Sequence, residues 1–215
     1  MKLPILTLFL FIIATSSFAQ KTGVSPYIFP EFMQASVLQK GGGVTEATMN
    51  YNTVTQEMLF MQNGVKTVLD MDNVDTIYIS NRKFIPVGKV YYEKLTDTKI
   101  ALYRQNFNKP LLNGRNPNLA DQVNNTITAS QGIRNSSTSA AIYELKLGEG
   151  YTLQPESVYW LQKGKSFYSA ADLKKILKVF PPNKEQAVNA YINDKKLDIT
   201  QPDDLAKVII FCNLQ

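Results

Sequence analysis

The sequence predicts an α+β fold: an antiparallel β-meander, partly closed into a barrel or packed as a sandwich, followed by C-terminal α-helices. Three observations carry this. Between residues 44 and 107 apolar and polar side chains alternate in short runs separated by turn residues, the period of a half-buried strand. Within that stretch Asn63-Gly64 is flanked by Met58, Leu59, Phe60 and Met61 on one side and by Val65, Val68 and Leu69 on the other. Both turn residues tolerate positive φ, as a two-residue type I′ hairpin requires. After residue 168 the period lengthens: Leu173, Ile176, Leu177 and Phe180 recur at i, i+3, i+4 and i+7, one face of a helix.

Residues 1–19 read as an export signal. Lys2 supplies a positive start, residues 3–14 an apolar core, and Ser17-Phe18-Ala19 small residues at −3 and −1, so cleavage is expected before Gln20. The apolar core is shorter than the roughly 20 residues of a spanning helix, so no transmembrane anchor is expected after cleavage. No cysteine stands near the cleavage point to accept a lipid.

The mature chain of 215 less 19, or 196, residues divides into a β-rich region, 20–168, and a helical segment, 169–215, packed on the sheet. Residues 34–40 read as a first strand, and Gly41-Gly42-Gly43 as a turn rather than a phosphate loop, which would need a following Gly-Lys-Ser/Thr. Further strands are expected from residue 44 to 52, around the Asn63-Gly64 hairpin, and at 74–79, 84–87, 89–95 and 99–107. Such short spacing favours antiparallel pairing, since a parallel crossover needs a dozen or more residues. Residues 108–140, rich in Asn, Ser, Thr, Gly and Gln, read as a long polar loop in which Arg115 and Arg134 are the candidate anion contacts. Strands resume at 141–147, 157–163 and 166–168. Tyr159 and Trp160 are adjacent, so a strand turns them to opposite faces. One belongs to the core; the other is the candidate binding aromatic, suited to stacking on a sugar ring or a partner.

Three helices follow, with predicted starts at Ser169 (Asp172 three residues on), Asn183 (Gln186) and Thr200 (Asp203). Pro181-Pro182 ends the first; Leu205, Val208, Ile209 and Cys212 form the apolar face of the last.

Composition excludes much chemistry. The chain has no histidine, which removes Ser-His-Asp and Cys-His nucleophilic pairs and the usual zinc sites. A single cysteine, Cys212, permits no internal disulfide, and its place on an apolar helix face predicts a buried structural thiol. Removing Lys2 with the signal lowers the net charge from +5 to +4, and with no basic cluster a nucleic-acid partner is not expected. Asp70, Asp72 and Asp75 lack the glycine and distal glutamate of a calcium loop, and read as turn residues. Glu57 and Glu93, expected on neighbouring strands, are the pair a carboxylate-dependent glycan hydrolase would use. No metal or cofactor is expected.

Met49-Asn50-Tyr51-Asn52, Gln56-Glu57-Met58-Leu59-Phe60, Val90-Tyr91-Tyr92-Glu93 and Leu102-Tyr103-Arg104, with the closing Phe180-Pro181 and Tyr191-Ile192, form a pattern. It resembles uncharacterised exported proteins of Bacteroidetes bacteria. The resemblance implies the periplasm or outer cell surface and brings no activity. The leading expectation is a non-enzymatic binding protein of the cell envelope whose partner is a glycan, lipid or protein component. The alternatives are a β-barrel carrier of a small apolar ligand and the carboxylate-dependent hydrolase. Intact mass of the protein recovered from its native envelope should correspond to a chain beginning at Gln20; a retained Met1 would refute the cleavage.

Overall fold

The computed structural model describes residues 25–112 and 151–214. The signal segment 1–19, the loop residues 113–140 with Arg115 and Arg134, and the strand expected at 141–147 lie outside the described residues.

The strands are β1 (Met33–Gln39), β2 (Val44–Asn52), β3 (Glu57–Gln62), β4 (Val65–Val68), β5 (Val74–Ile79), β6 (Arg82–Val87), β7 (Val90–Lys94), β8 (Ala101–Leu112), β9 (Tyr151–Lys163) and β10 (Ser166–Ser169). All ten form one sheet in the order β10-β9-β8-β7-β6-β5-β1-β2-β3-β4. The pairings are antiparallel throughout. The sheet is therefore two meanders, β1–β4 and β5–β10, joined where β5 pairs with β1 rather than with β4. The turn after β4 is tied to that seam: Lys40 N donates to Asn73 O (2.9 Å) and Lys40 Nζ to Asp72 O (2.7 Å).

The Asn63-Gly64 turn is as expected, with φ of 51° and 78° closing the Gln62–Val65 pair. The α+β class holds, and of the expected closure the structure shows a curled sheet rather than a closed barrel. The strands form a single sheet that does not close, with β4 and β10 as its edges. The sheet does curl. The β2–β3 turn comes to rest on β8, where Asn108 N donates to Thr53 O (2.9 Å), Asn108 Nδ2 to Thr53 Oγ1 (2.6 Å) and Gln105 Nε2 to Gln56 Oε1 (2.6 Å). Helices take the place of a second sheet over β8 and β9. The polar loop also starts later than residue 108, because Asn108 to Leu112 continue β8 and pair with β9 as far as Leu112–Tyr151.

The helices are α1 (Leu173–Leu177), α2 (Glu185–Lys195) and α3 (Pro202–Leu214). Their expected starts are each moved. Ser169 is still in β10, opposite Trp160, and Asp172 caps α1 by accepting from Lys175 N (2.8 Å). Asn183 lies inside a 3-10 turn, Pro182–Lys184, with no side-chain cap. Thr200 is held by Asp198, to whose Oδ1 its N–H and hydroxyl donate (2.9 and 2.7 Å), and Pro202 opens α3, where a missing N–H costs nothing.

One sheet face carries two cores. Over β1–β7, Val37, Met49, Tyr51, Met58, Ile77, Ile79, Phe84 and Tyr91 pack together. Over β8 and β9, Leu102 and Leu161 meet Ile176, Val188, Leu205, Val208, Ile209 and Cys212 from the helices. Each fully buried aliphatic or aromatic side chain contributes about 1.5–3 kcal/mol. Asn213 pins α3 to the sheet, accepting from Ile100 N (2.9 Å) and donating to Ile100 O (3.0 Å).

Between the cores, on the same face, lies Glu93. Cross-strand partners share a face, and one row of partners runs Val37–Ile77–Phe84–Glu93–Arg104–Tyr159. Arg82 Nε and Nη2 grip Glu93 Oε1 and Oε2 (2.6 and 2.5 Å). Arg104 Nε and Nη2 reach Oε2 (3.0 and 2.8 Å), as does Asn106 Nδ2 (3.0 Å). Burial alone would raise the Glu93 pKa, but the hydrogen bonds and charges of Arg82 and Arg104 outweigh it and hold the carboxyl below its usual range. A depressed folded-state pKa adds stability above the unfolded value, lost as pH falls through the folded one. Glu93→Gln should therefore lower unfolding free energy by about 2–4 kcal/mol at pH 7, and should flatten the loss of stability below about pH 4. Urea titrations at the two pH values check both parts.

Candidate functional site

The other sheet face changes character along its width. Over β1 and β2 it is polar: Gln34 Nε2 donates to Thr48 Oγ1 (3.1 Å) and Ser36 Oγ to Glu46 Oε1 (2.6 Å). Over β7–β10 it is aromatic. Tyr92 and Tyr103 are buried there, against half-buried Trp160 and Phe167, with Ile85, Val87 and Val90 around them.

Strand alternation places these rings together. Tyr103 stands opposite Trp160 in the β8–β9 ladder, so both leave the face that Leu102 and Leu161 use for the helical core. Tyr92 alternates with Tyr91 in the same way, Tyr91 going to the β1–β7 core. The Tyr92 and Trp160 planes are nearly parallel, 9° apart with centroids at 5.8 Å. Phe167 meets Tyr92 and Tyr103 edge-on, both at 5.4 Å. Polar handles fix the rings: Trp160 Nε1 donates to Gln105 Oε1 (3.3 Å) and Tyr103 Oη to Gln162 Oε1 (2.7 Å). Desolvation raises the pKa of Tyr92 and Tyr103, with Asp97 adding to the effect on Tyr103, so both phenols keep their protons.

The cluster adjoins a cleft of about 490 Å³. Ile85, Tyr103 and Gln162 line it together with Lys40, Asp72, Asp75 and Thr76. Apolar rings beside carboxylate, hydroxyl and amide groups match a ligand that has both apolar faces and many hydroxyls.

The sequence-predicted residues fall as follows. Tyr159 packs against the helical core and Trp160 joins the aromatic face, so the two point apart as expected. Arg115 and Arg134 lie outside the described residues. Asp70 accepts from Asp72 N (3.0 Å) at the turn expected of them, whereas Asp75 lies within β5 and accepts from the Thr76 hydroxyl (2.9 Å). No group of three or more metal-ligating side chains gathers among the described residues. From the sequence Tyr92 and Tyr103 read only as tyrosines that strands prefer, with no ligand needed to explain them, and Phe167 and Gln162 carry no signal. The available signal was parity: Tyr92 and Tyr103 each alternate with a residue of the opposite face, as Trp160 does with Tyr159.

Glu57 and Glu93 are not on hydrogen-bonded neighbouring strands, although β3 and β7 touch across the curl of the sheet. In the sheet order β2, β1, β5 and β6 separate β3 from β7, because β5 inserts beside β1. Glu57 is buried opposite Asn52. The ionised Glu93, with both oxygens engaged, has no proton to donate as a general acid. Among the described residues Met49, Tyr51, Met58, Ile77 and Phe84, all nearly inaccessible, pack together over β1–β7.

Compared with known protein families, curated proteins and solved structures, the chain matches none. No helix among the described residues is long and apolar enough to cross a membrane.

Cys212 is buried among Val208, Ile209 and the rest of the helical core, and burial pushes its thiol pKa up to about 11. At pH 8 the thiolate fraction is then about one in a thousand. A chromogenic disulfide reagent should label the native protein at least about a hundredfold more slowly than the urea-unfolded chain. Equal rates would place the thiol in an open site.

Proposed function

We propose that this protein is a non-enzymatic, exported binding protein of the bacterial cell envelope, and that the aromatic face of its sheet takes a glycan. One observation carries the reading: four aromatic rings converge on the sheet face that the helices leave, beside a cleft walled by Asp72, Asp75, Thr76 and Gln162. Sugar rings have apolar C–H faces that stack on aromatic planes and hydroxyls that pair with carboxylates and amides. Export is supported by the Lys2-led apolar segment ending at Ala19. The absence of catalysis is supported by the missing histidine, the occupied Glu93 and the buried Cys212.

Binding of the mature protein to an array of envelope-derived oligosaccharides, followed by calorimetry on the hits, tests this. Trp160→Ala should weaken a genuine hit by roughly tenfold or more, because a stacked aromatic anchor carries a large share of binding energy. Tyr168→Ala, at an exposed ring of the edge strand outside the cluster, should leave affinity unchanged. Absence of any glycan hit, or equal loss in both variants, would refute the reading, as would turnover of the bound sugar.

A further inference from the structure

A second concave site lies in the helical layer, away from the aromatic face. It is a groove of about 720 Å³ between α1 and the start of α2, lined by Leu173, Leu177, Phe180, Pro181 and Pro182 on its apolar side. Leu173 and Leu177 give one flank to the helical core, while their half-buried remainder and the exposed Pro181 and Pro182 line the groove. Its volume lies within the range of small-molecule sites, about 300–1,000 Å³.

Lys174 and Lys178 complete the lining on the α1 side, one helical turn apart and hence on the same edge. Several other lysines in or beside this layer have structural partners. Lys163 Nζ donates to Val179 O (2.8 Å), Lys184 Nζ to Cys212 O (2.8 Å), and Lys175 pairs with Asp172 (3.4 Å). Among the described residues Lys174 and Lys178 enter no ion pair. Glu185, the acidic member of the lining, is the first residue of α2, where the helix dipole already favours a negative charge. The lining thus joins an aliphatic trough to two cations that enter no ion pair among the described residues, although Asp172 feels the charge of Lys174.

We infer that this groove binds the monomeric carboxylate of a long-chain fatty acid, the acyl chain along Leu173, Leu177, Phe180 and the two prolines and the carboxylate between Lys174 and Lys178. Each methylene removed from water favours the complex, and a charge-assisted hydrogen bond from each ammonium favours the anionic end over a neutral one. A monomer fits better than a bilayer surface because Leu173 and Leu177 are half-buried and Phe180 buried in the groove, whereas insertion into a membrane needs such side chains to protrude.

Calorimetry of the mature protein with dodecanoate below its micellar concentration, with dodecanol and with acetate tests this. Dodecanoate should bind one to one, dodecanol at least about tenfold more weakly, and acetate not measurably. Lys174→Gln with Lys178→Gln should weaken dodecanoate by about tenfold and leave the melting temperature unchanged, because both side chains are exposed and enter no ion pair among the described residues. Amide shifts on binding should centre on residues 173–189. Equal affinity for dodecanoate and dodecanol, no effect of the double variant, or binding to anionic vesicles without binding to monomeric dodecanoate would each overturn the proposal. Trp160→Ala should leave dodecanoate affinity intact, so this site and the glycan site stand or fall separately.

Discussion

The structure turns on one buried carboxylate. Glu93 lies in the row of side chains that crosses the sheet from the β1–β7 core to the helical core. A charge at that position would be intolerable alone. Arg82 arrives from β6 and Arg104 from β8, one from either side, so the carboxylate cross-links three consecutive strands through their side chains. Arg82 also lies over the rings of Phe29 and Phe84, at 5.2 and 5.4 Å from their centroids. The same guanidinium thus closes the edge of one apolar core while it neutralises the joint to the next. Whether such a pair stabilises more than an apolar replacement would is a separate matter, because both partners lose hydration. What it specifies is register: a slip of one residue would send Glu93 to the opposite face and leave both arginines without their carboxylate.

Much of this was legible in the residues. The Asn63-Gly64 turn, the antiparallel strands and the apolar face of Leu205, Val208, Ile209 and Cys212 follow from local chemistry, and local chemistry does not depend on the rest of the chain. The opposed faces of Tyr159 and Trp160 follow from strand geometry alone. Other features depend on distant partners. Ser169 looks like a helix cap until the β9–β10 ladder claims it. Glu57 and Glu93 look adjacent until β5 pairs with β1 and places four strands between them. The aromatic face needed the registers of three separate ladders before its rings could be seen to meet.

The two sides of the sheet divide the labour of the molecule. Helices and the row through Glu93 occupy one side and supply the core. The other needs no helix over β7–β10, since Tyr92, Tyr103, Trp160 and Phe167 cover one another. In a chain without disulfides that second, smaller cluster also braces the β7–β10 end of the sheet. Lys83 and Lys94 stand directly opposite one another in the β6–β7 ladder of this face, a like-charge pairing that costs stability. Lys94 is compensated by Asp97, and Lys83 lies over the ring of Tyr78, 5.5 Å from its centroid.

The joining of two meanders at a single seam has a kinetic consequence. Within β1–β4 and within β5–β10 up to β8, each strand pairs with its immediate successor, so closing those loops costs little chain entropy. The β1–β5 ladder unites Ala35 with Ile79 across both hairpins, and the β8–β9 ladder unites residues separated by the whole of 113–150. Assembly should follow that order: two local halves form early, and the transition state lies in their docking along β1. A substitution at Val37 or Ile77, which face each other across the seam, would then slow refolding, whereas one within a terminal hairpin would chiefly hasten unfolding.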